Sequence, residues 1–198
     1  VHRHGAALRI VALLHEGQGL SESHGEARLP GFLFDMNRFF QELLGRFLGE
    51  YVPTGLPGAR VVQEHRLVGM LRYAANHNPK RRAAPTPRPD FAVFVGRRRA
   101  VLLDAKYRDL WERPLPREML YQLAMYALSQ GDGGHAVILY ATMRAEAKEA
   151  RVEVYDPVDE RVRGEVVLRP VHLMALDELL KRDASDGKRA AFAIRLAF

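Results

Sequence analysis

The sequence predicts an α/β domain in which a mixed central sheet is flanked by helices, and three patterns carry this prediction. Apolar residues recur over Met36–Leu48 at the i, i+3, i+4, i+7 spacing of an amphipathic helix. Two short apolar runs, Phe91–Val95 and Ala100–Leu103, flank a glycine-bearing linker, as the strands of a hairpin do. A helical segment then separates this hairpin from the apolar run Ala136–Thr142, an order that favours parallel strands covered on both faces.

The composition is that of a globular protein. The 198 residues are 47% hydrophobic and 27% charged, enough for a proper core. The chain has no cysteine, which excludes disulfides and thiolate metal sites. No apolar run approaches the roughly 20 residues that span a bilayer, and no signal peptide is visible. We therefore predict a cytoplasmic protein without a membrane partner.

The N-terminal part, residues 1–31, is predicted to be an appendage to a main domain over residues 32–198. Residues 5–15 have the broad apolar face of a helix, and residues 17–31 read as a polar loop with several glycines. The histidines of this part have no convincing metal-ligand spacing; they are His2, His4, His15 and His24.

The main domain is predicted to begin with the Met36–Leu48 helix, capped by Asp35 and weakened beyond Gly49. Residues 51–58 are rich in Pro and Gly, which indicates a turn. Arg60–Leu67 is predicted to be a strand that leads toward the hairpin. Its polar pair, Glu64 and His65, either approaches the residues of that hairpin or, as we favour, faces outward.

A loop and a hairpin follow. Four prolines exclude a helix or a central strand for Asn76–Pro89. In the hairpin, Asp90 opens the first strand, and Asp104 and Lys106 close the second. Since side chains alternate faces along a strand, Asp104 and Lys106 share a face.

The length of the hairpin turn decides whether the two carboxylates meet. A three-residue turn, Gly96–Arg98, places Asp90 directly across from Asp104. A five-residue turn would also keep the two carboxylates on one face, whereas a two- or four-residue turn would put them on opposite faces. Two carboxylates held so close repel each other, so a positive group is expected between them. The ammonium group of Lys106 and a divalent cation are the two candidates.

After the hairpin, Trp111 is predicted to pack under a loop rather than to stack on a base. A helix is predicted from Pro116 to about Gln130, with Gln122 and Tyr126 on one face. The remaining predicted elements are the strands Arg151–Tyr155 and Val162–Leu168, the helix Leu173–Lys181 and a last strand, Ala190–Phe198.

The net charge of +6 is concentrated around the hairpin. Residues 80–117 hold eleven Lys and Arg against four acids, a net charge of +7, which leaves −1 for the rest of the chain. This distribution is typical of a site that recruits a polyanion, although basic loops also serve solubility. The predicted DNA contacts are Lys80, Arg81, Arg82, Arg88, Arg97, Arg98, Arg99 and Arg108.

The ordered residues Pro89-Asp90, Asp104-Ala105-Lys106 and Gln122-x-x-x-Tyr126 resemble the PD-(D/E)XK nuclease superfamily. Phe34-Asp35-Met36-Asn37-x-x-Phe40, together with the residues around Asp104–Arg108 and Tyr121–Ala127, resembles McrC, the nuclease subunit of modified-cytosine restriction systems. The resemblance covers about residues 30 to 145 and implies a restriction-endonuclease-like core.

The resemblance also implies an activity, an endonuclease that hydrolyses double-stranded DNA with Mg²⁺, for which Mn²⁺ substitutes. It assigns the metal to Asp90, Asp104 and the carbonyl of Ala105. Lys106 and Gln122 would act in catalysis, with Tyr126 as an accessory residue. An AAA+ GTPase partner is expected from the resemblance alone.

One position departs from the family pattern. Where the family has Glu after the residue that corresponds to Phe40, this chain has Gln41, which removes one anionic ligand. Glu42 is one step further and lies nearly opposite the apolar face, so it does not replace that ligand; both remain possible accessory residues. Two alternatives therefore stay open. One is a catalytically inactive nuclease fold that binds DNA or serves assembly, and the other is a nuclease of the same fold in DNA repair or transposition.

Overall fold

The computed structural model describes residues 35–198. The predicted helix at residues 5–15, the loop at 17–31 and the histidines at positions 2, 4, 15 and 24 lie outside the described residues, so the boundary at residue 31 stays a prediction. The described elements, in chain order, are α1 (Met36–Gly55), β1 (Ala59–Gln63), β2 (Phe91–Val95), β3 (Arg98–Lys106), α2 (Arg117–Leu128), β4 (Gly134–Thr142), β5 (Ala150–Tyr155), β6 (Val162–His172), α3 (Leu173–Leu180) and α4 (Asp186–Ala197).

The described strands form one six-stranded sheet in the order β1-β2-β3-β4-β6-β5. The β1–β2, β2–β3 and β5–β6 pairs are antiparallel, and the β3–β4 and β4–β6 pairs are parallel. One core lies between the sheet and α1, α3 and α4, and a second lies between the other face and α2. The predicted α/β fold, with a mixed sheet flanked by helices, is confirmed.

The β2–β3 hairpin has the predicted pairing of Asp90 with Asp104, but its turn has a different length from the predicted one. Val95 pairs with Arg98, so the turn has two residues and not three, and Gly96 supplies the positive φ of 58° that such a turn requires. The register then shifts by one residue, because Ala100 is an extra residue opposite the Val93/Phe94 step. The predicted three-residue turn is wrong, but this bulge restores the same register beyond it.

Helix α1 is longer than predicted, and the turn expected at residues 51–58 is wrong in its first half. The helix continues through Gly49 and Pro53 to Gly55. Packing on α4 overrides these helix breakers: Val52 is fully buried, and Gly55 lies so close that a Cβ there would come within 2.8 Å of Ile194.

The last predicted strand, Ala190–Phe198, is wrong, since these residues lie in α4 or cap its C-terminal end. The side chain of Ser185 caps the helix by accepting a hydrogen bond from the amide of Lys188. The buried residues follow a helical and not an alternating period; they are Ala190, Phe192, Ala193, Leu196 and Ala197.

Two further predictions need correction. Strand β1 ends at Gln63 instead of continuing to Leu67, because Glu64 has a positive φ of 50° that no strand accommodates. Trp111 is 45% exposed and is not packed under its loop. In the part of the chain that the structure describes, no helix is long and apolar enough to cross a membrane.

Candidate active site

Asp90, Asp104 and Lys106 come together at one end of the hairpin, on the face that α2 covers. Phe91 pairs with Leu103, so Asp90, one residue before β2, lies opposite Asp104. The ammonium nitrogen Nζ of Lys106 lies 2.7 Å from Oδ2 of Asp104 and 3.9 Å from Oδ2 of Asp90. The predicted convergence of two carboxylates and an amine is therefore present.

The backbone of β3 helps to hold Asp90 in place. The amide of Ala105 donates a hydrogen bond to Oδ2 of Asp90, at 2.8 Å. Because the N–H and C=O groups of one strand residue point toward the same neighbouring strand, the carbonyl of Ala105 also faces Asp90. An oxygen ligand at this carbonyl, as the resemblance implies, is compatible with this geometry.

Burial and charge perturb both ionisable partners. Burial, followed by the negative charge of Asp104, raises the pKa of Asp90 from 3.8 to about 6. Burial lowers the pKa of Lys106, but the charges of Asp104 and Asp90 outweigh it, so the pKa is raised overall. The side chains alone therefore keep Lys106 as an ammonium ion that partly neutralises the carboxylates.

Helix α2 adds the predicted pair of Gln122 and Tyr126. The Gln122 amide nitrogen Nε2 donates to the Tyr126 hydroxyl at 2.6 Å. Tyr126 is almost fully buried. Burial raises its pKa, and the negative charges of Asp104 and Asp90 act in the same direction.

A cleft of about 570 Å³ on the side of α1 contains the position where the family pattern is broken. Gln41, Glu42 and Glu64 are among its lining residues. The carboxylate of Glu42 is exposed and is bound by Arg38 at 3.1 Å. Gln41 makes no side-chain hydrogen bond with any described residue that would tie it to Asp90, so its accessory role stays a prediction.

Glu64 lies beside Asp90 along the backbone, while its side chain is 56% exposed, in keeping with the outward-facing orientation that was favoured. Its amide donates to the carbonyl of Asp90 at 2.7 Å, and its charge contributes to the raised pKa of Asp90. Its carboxylate pairs with Arg88. The β1–β2 register, in which Gln63 pairs with Phe91, brings Glu64 next to Asp90, and the sequence did not reveal that register.

His65, in contrast, lies away from the carboxylates, as its ring packs edge-on against Phe94 with centroids 5.4 Å apart.

The predicted DNA-contacting residues fall into two groups. Six have exposed side chains for which no ion pair within the described chain is found; they are Lys80, Arg81, Arg82, Arg97, Arg98 and Arg108. The other two are engaged. Arg88 pairs with Glu64, and Arg99 is partly buried and donates to the carbonyl of Ser129, at 2.7 Å, just beyond α2.

The donor set fits Mg²⁺ rather than a metal that needs a full cage of side chains. Within residues 35–198, no group of three or more His, Cys, Asp or Glu side chains could hold a metal. Mg²⁺ is usually held by one or two carboxylates, with waters and substrate phosphates completing its shell. Oδ2 of Asp104 is buried and, apart from the nearby ammonium of Lys106, has no hydrogen-bond partner. A cation between Asp90 and Asp104 would give this oxygen a partner and would reduce the repulsion between the two carboxylates.

Comparison with known proteins gives a family and a likeness to solved structures. The model of a family described as McrBC 5-methylcytosine restriction system component matches residues 1–141, a stretch that contains every residue of the carboxylate site. No curated protein matches the chain.

One of the solved structures is a refined half-complex from a tetradecameric assembly of Thermococcus gammatolerans McrB AAA+ hexamers with bound McrC. It matches with a TM-score of 0.47 and 24% identity, over 83% of this chain and 34% of that chain. The present chain thus spans about a third of the length of its match.

Proposed function

The chain belongs to the McrBC family of 5-methylcytosine restriction system components, and from this premise we propose that it is the nuclease of such a system. The proposed activity is metal-dependent, endonucleolytic hydrolysis of phosphodiester bonds in double-stranded DNA. The observation that carries the proposal is the opposition of Asp90 and Asp104 across one hairpin, with the Lys106 ammonium 2.7 Å from one carboxylate and 3.9 Å from the other.

Asp90, Asp104 and the carbonyl of Ala105 would hold Mg²⁺, or Mn²⁺ in its place. When bound, the ion supplies Lewis-acid chemistry, since it makes water more acidic and withdraws charge from a phosphate. The three oxygen groups belong to two hydrogen-bonded strands, so the hairpin fixes their relative position. Such preorganisation is what electrostatic catalysis requires.

Lys106 is the group of the chain that would contact the phosphate. Its side chain is 27% exposed, so the ammonium can reach a ligand from solvent while remaining beside Asp104. As an ammonium ion it would donate hydrogen bonds to a phosphate oxygen and stabilise the charge that develops there. Gln122 is held by the Tyr126 hydroxyl and would orient the attacking water or the phosphate from the α2 side.

The exposed basic residues support a polyanionic substrate. The loop bearing Lys80–Arg82 and the hairpin turn bearing Arg97 and Arg98 present cations without ion-pair partners among the described residues. Such contacts neutralise phosphates and orient a duplex without reading its sequence. Recognition of the modified base would then be the task of a partner, for which we propose an AAA+ GTPase, and the complex would act in the cytoplasm.

Supercoiled plasmid incubated with Mg²⁺ or Mn²⁺ tests this proposal. We expect nicked or linear product with the wild-type chain, alone or with its GTPase partner, and none with Asp104→Ala. Asp132→Ala is the matched control, because that carboxylate is 88% exposed and pairs with Arg163 instead of with a residue of the site. Equal cutting by the Asp104→Ala variant would overturn the assignment of the site.

A second candidate is an inactive nuclease fold that binds DNA or serves assembly, and Gln41 is the observation that favours it. The loss of one acidic side chain lowers the negative charge available for Mg²⁺. If the chain binds plasmid but does not cut it under any of the metal and partner conditions above, the inactive, DNA-binding alternative is supported. Restoration of cutting by Gln41→Glu would identify the missing carboxylate as the cause.

A further inference from the structure

A second polar cleft, of about 600 Å³, begins where strand β3 ends. Its lining residues are Tyr107, Arg108, Asp109, Glu112, Arg113 and Arg144. Tyr107 and Arg108 directly follow Lys106, and two residues of chain span at most about 7 Å. The cleft therefore begins within about 7 Å of Lys106 along the chain, at the end of β3 opposite to the hairpin turn.

The acidic residues of this cleft are already engaged. Oδ2 of Asp109 accepts from the hydroxyl of Thr142 at 2.8 Å, and Oδ1 accepts from the amide of Trp111 at 2.9 Å. Glu112 is bound by Arg144 at 2.6 Å. These bonds order the turn, and the three arginines of the lining outnumber its two acids, so the cleft carries a net positive charge.

Arg108 and Arg113, in contrast, are exposed and form no ion pair within residues 35–198. Both residues line the same cleft without an ion-pair partner among the described residues, so their like charges are not offset there. Guanidinium groups bind phosphate through two parallel hydrogen bonds, which makes them suited to a nucleic-acid backbone.

Tyr107 offers an aromatic surface beside these cations. Its amide donates to Oδ1 of Asn37 at 3.0 Å, and its ring contacts Phe40 edge-on, with centroids 5.9 Å apart. Helix α1 thus fixes this residue on one side, while 39% of its surface stays exposed. An exposed aromatic ring next to cations is the pattern with which proteins bind single strands, by stacking bases and neutralising phosphates.

We infer that this cleft binds one DNA strand next to the cleaved phosphate, with Arg108 and Arg113 on the backbone and an unpaired base stacked on Tyr107. This inference rests on the proposed function and extends it, because it requires the duplex to open locally beside the site. The strand leaves the site over the end of β3, and the hairpin turn contacts the duplex on the other side.

Trp111 makes the inference directly measurable. It is the only tryptophan of the chain, it is 45% exposed, and it lies on the turn between Asp109 and Glu112, which both line the cleft. Titration of the full chain with a single-stranded oligodeoxynucleotide, without added metal, should quench the tryptophan emission saturably. The midpoint should equal the dissociation constant from fluorescence anisotropy of the labelled oligonucleotide.

The variant Arg113→Ala tests whether the arginines of the cleft contact the DNA backbone. Arg46→Ala is the control, since Arg46 is an exposed arginine on α1 without an ion pair in the described chain. Loss of one phosphate contact should weaken binding of the single strand and reduce the slope of log K against log salt by about 0.7. Arg46→Ala should leave both unchanged. An unchanged slope in Arg113→Ala would overturn the inference.

The outcomes separate this inference from the proposed function. If the chain cuts plasmid but its tryptophan emission does not change at saturating oligonucleotide, the proposal that the cleft binds a DNA strand is overturned. The proposed nuclease activity is then retained. Quenching of the tryptophan emission without plasmid cutting would support strand binding in the cleft and overturn the proposed nuclease activity. Equal quenching by a fully paired duplex of the same length would overturn the stacking of an unpaired base.

Discussion

Asp90 and Asp104 lie opposite each other across the β2–β3 hairpin because two local features compensate. The two-residue turn at Gly96-Arg97 would by itself place them on opposite faces, and the extra residue Ala100 moves the register back by one. The bulge is therefore part of the site, although it lies several residues away from either carboxylate.

The opposition of the two carboxylates predicts a pH-dependent cost in stability. The pKa of Asp90 is raised from 3.8 to about 6, so folding favours its protonated form. The associated stabilisation is present below pH 4 and is lost as the pH rises through about 6. Asp90→Asn should therefore be more stable than the wild type at pH 8, by up to about 3 kcal/mol, and close to it at pH 4.

Urea unfolding of both proteins at the two pH values measures this difference. Asp132→Asn serves as the control, because it makes the same change of carboxylate to amide on a side chain that is 88% exposed and lies outside the site. The account of the electrostatics is contradicted if Asp90→Asn is less stable than the wild type at pH 8.

Two glycines of α1 should respond to alanine in opposite ways. A Cβ at Gly49 meets no atom within 4 Å, so Gly49→Ala should stabilise the protein by about 0.5–1 kcal/mol through helix propensity. A Cβ at Gly55 would lie 2.8 Å from Ile194 and 3.2 Å from the carbonyl of Ala190. Gly55→Ala should therefore destabilise by about 1–3 kcal/mol through overpacking. Thermal unfolding compares the two, and a gain of stability in Gly55→Ala would argue against the α1–α4 packing.

Neighbouring arginines of the hairpin should separate DNA binding from stability. Arg98 is exposed, whereas Arg99 donates to the carbonyl of Ser129 at the C-terminal end of α2. Arg99→Ala should lower the free energy of unfolding by about 1–3 kcal/mol, because a hydrogen bond from a charged group is lost. Arg98→Ala should leave stability unchanged and weaken binding of duplex DNA at low salt. The reverse pattern would mean that the two side chains have been assigned to the wrong roles.

The sequence was sufficient for those parts of the fold that a short-range pattern determines. The apolar stripe of α1 and the two hairpin strands were predicted, because burial imposes periods of 3.6 and 2. The site residues Asp90, Asp104 and Lys106 follow from the alternation along β3 and the pairing with β2. The pairing was predicted with a three-residue turn, which is wrong, and the register is nevertheless the predicted one because the bulge at Ala100 compensates.

The remaining features depend on contacts between distant segments. Ala190–Phe198 is apolar enough for a strand, and only its packing on α1 makes the helix evident. Glu64 lies beside Asp90 because β1 pairs with β2, a register that the intervening loop conceals. The bulge at Ala100 has no composition signal, since alanine is common in regular strands as well as in bulges.

The most direct measurement of the central claim is the position of Mn²⁺ in crystals of the chain, located by its anomalous scattering. The account predicts one peak between the carboxylates of Asp90 and Asp104, within ligand distance of the Ala105 carbonyl. Lys106 should then have moved away from Oδ2 of Asp104, where its ammonium lies at 2.7 Å. No peak at saturating Mn²⁺, or a peak only at the Glu42 and Glu64 cleft, would contradict it.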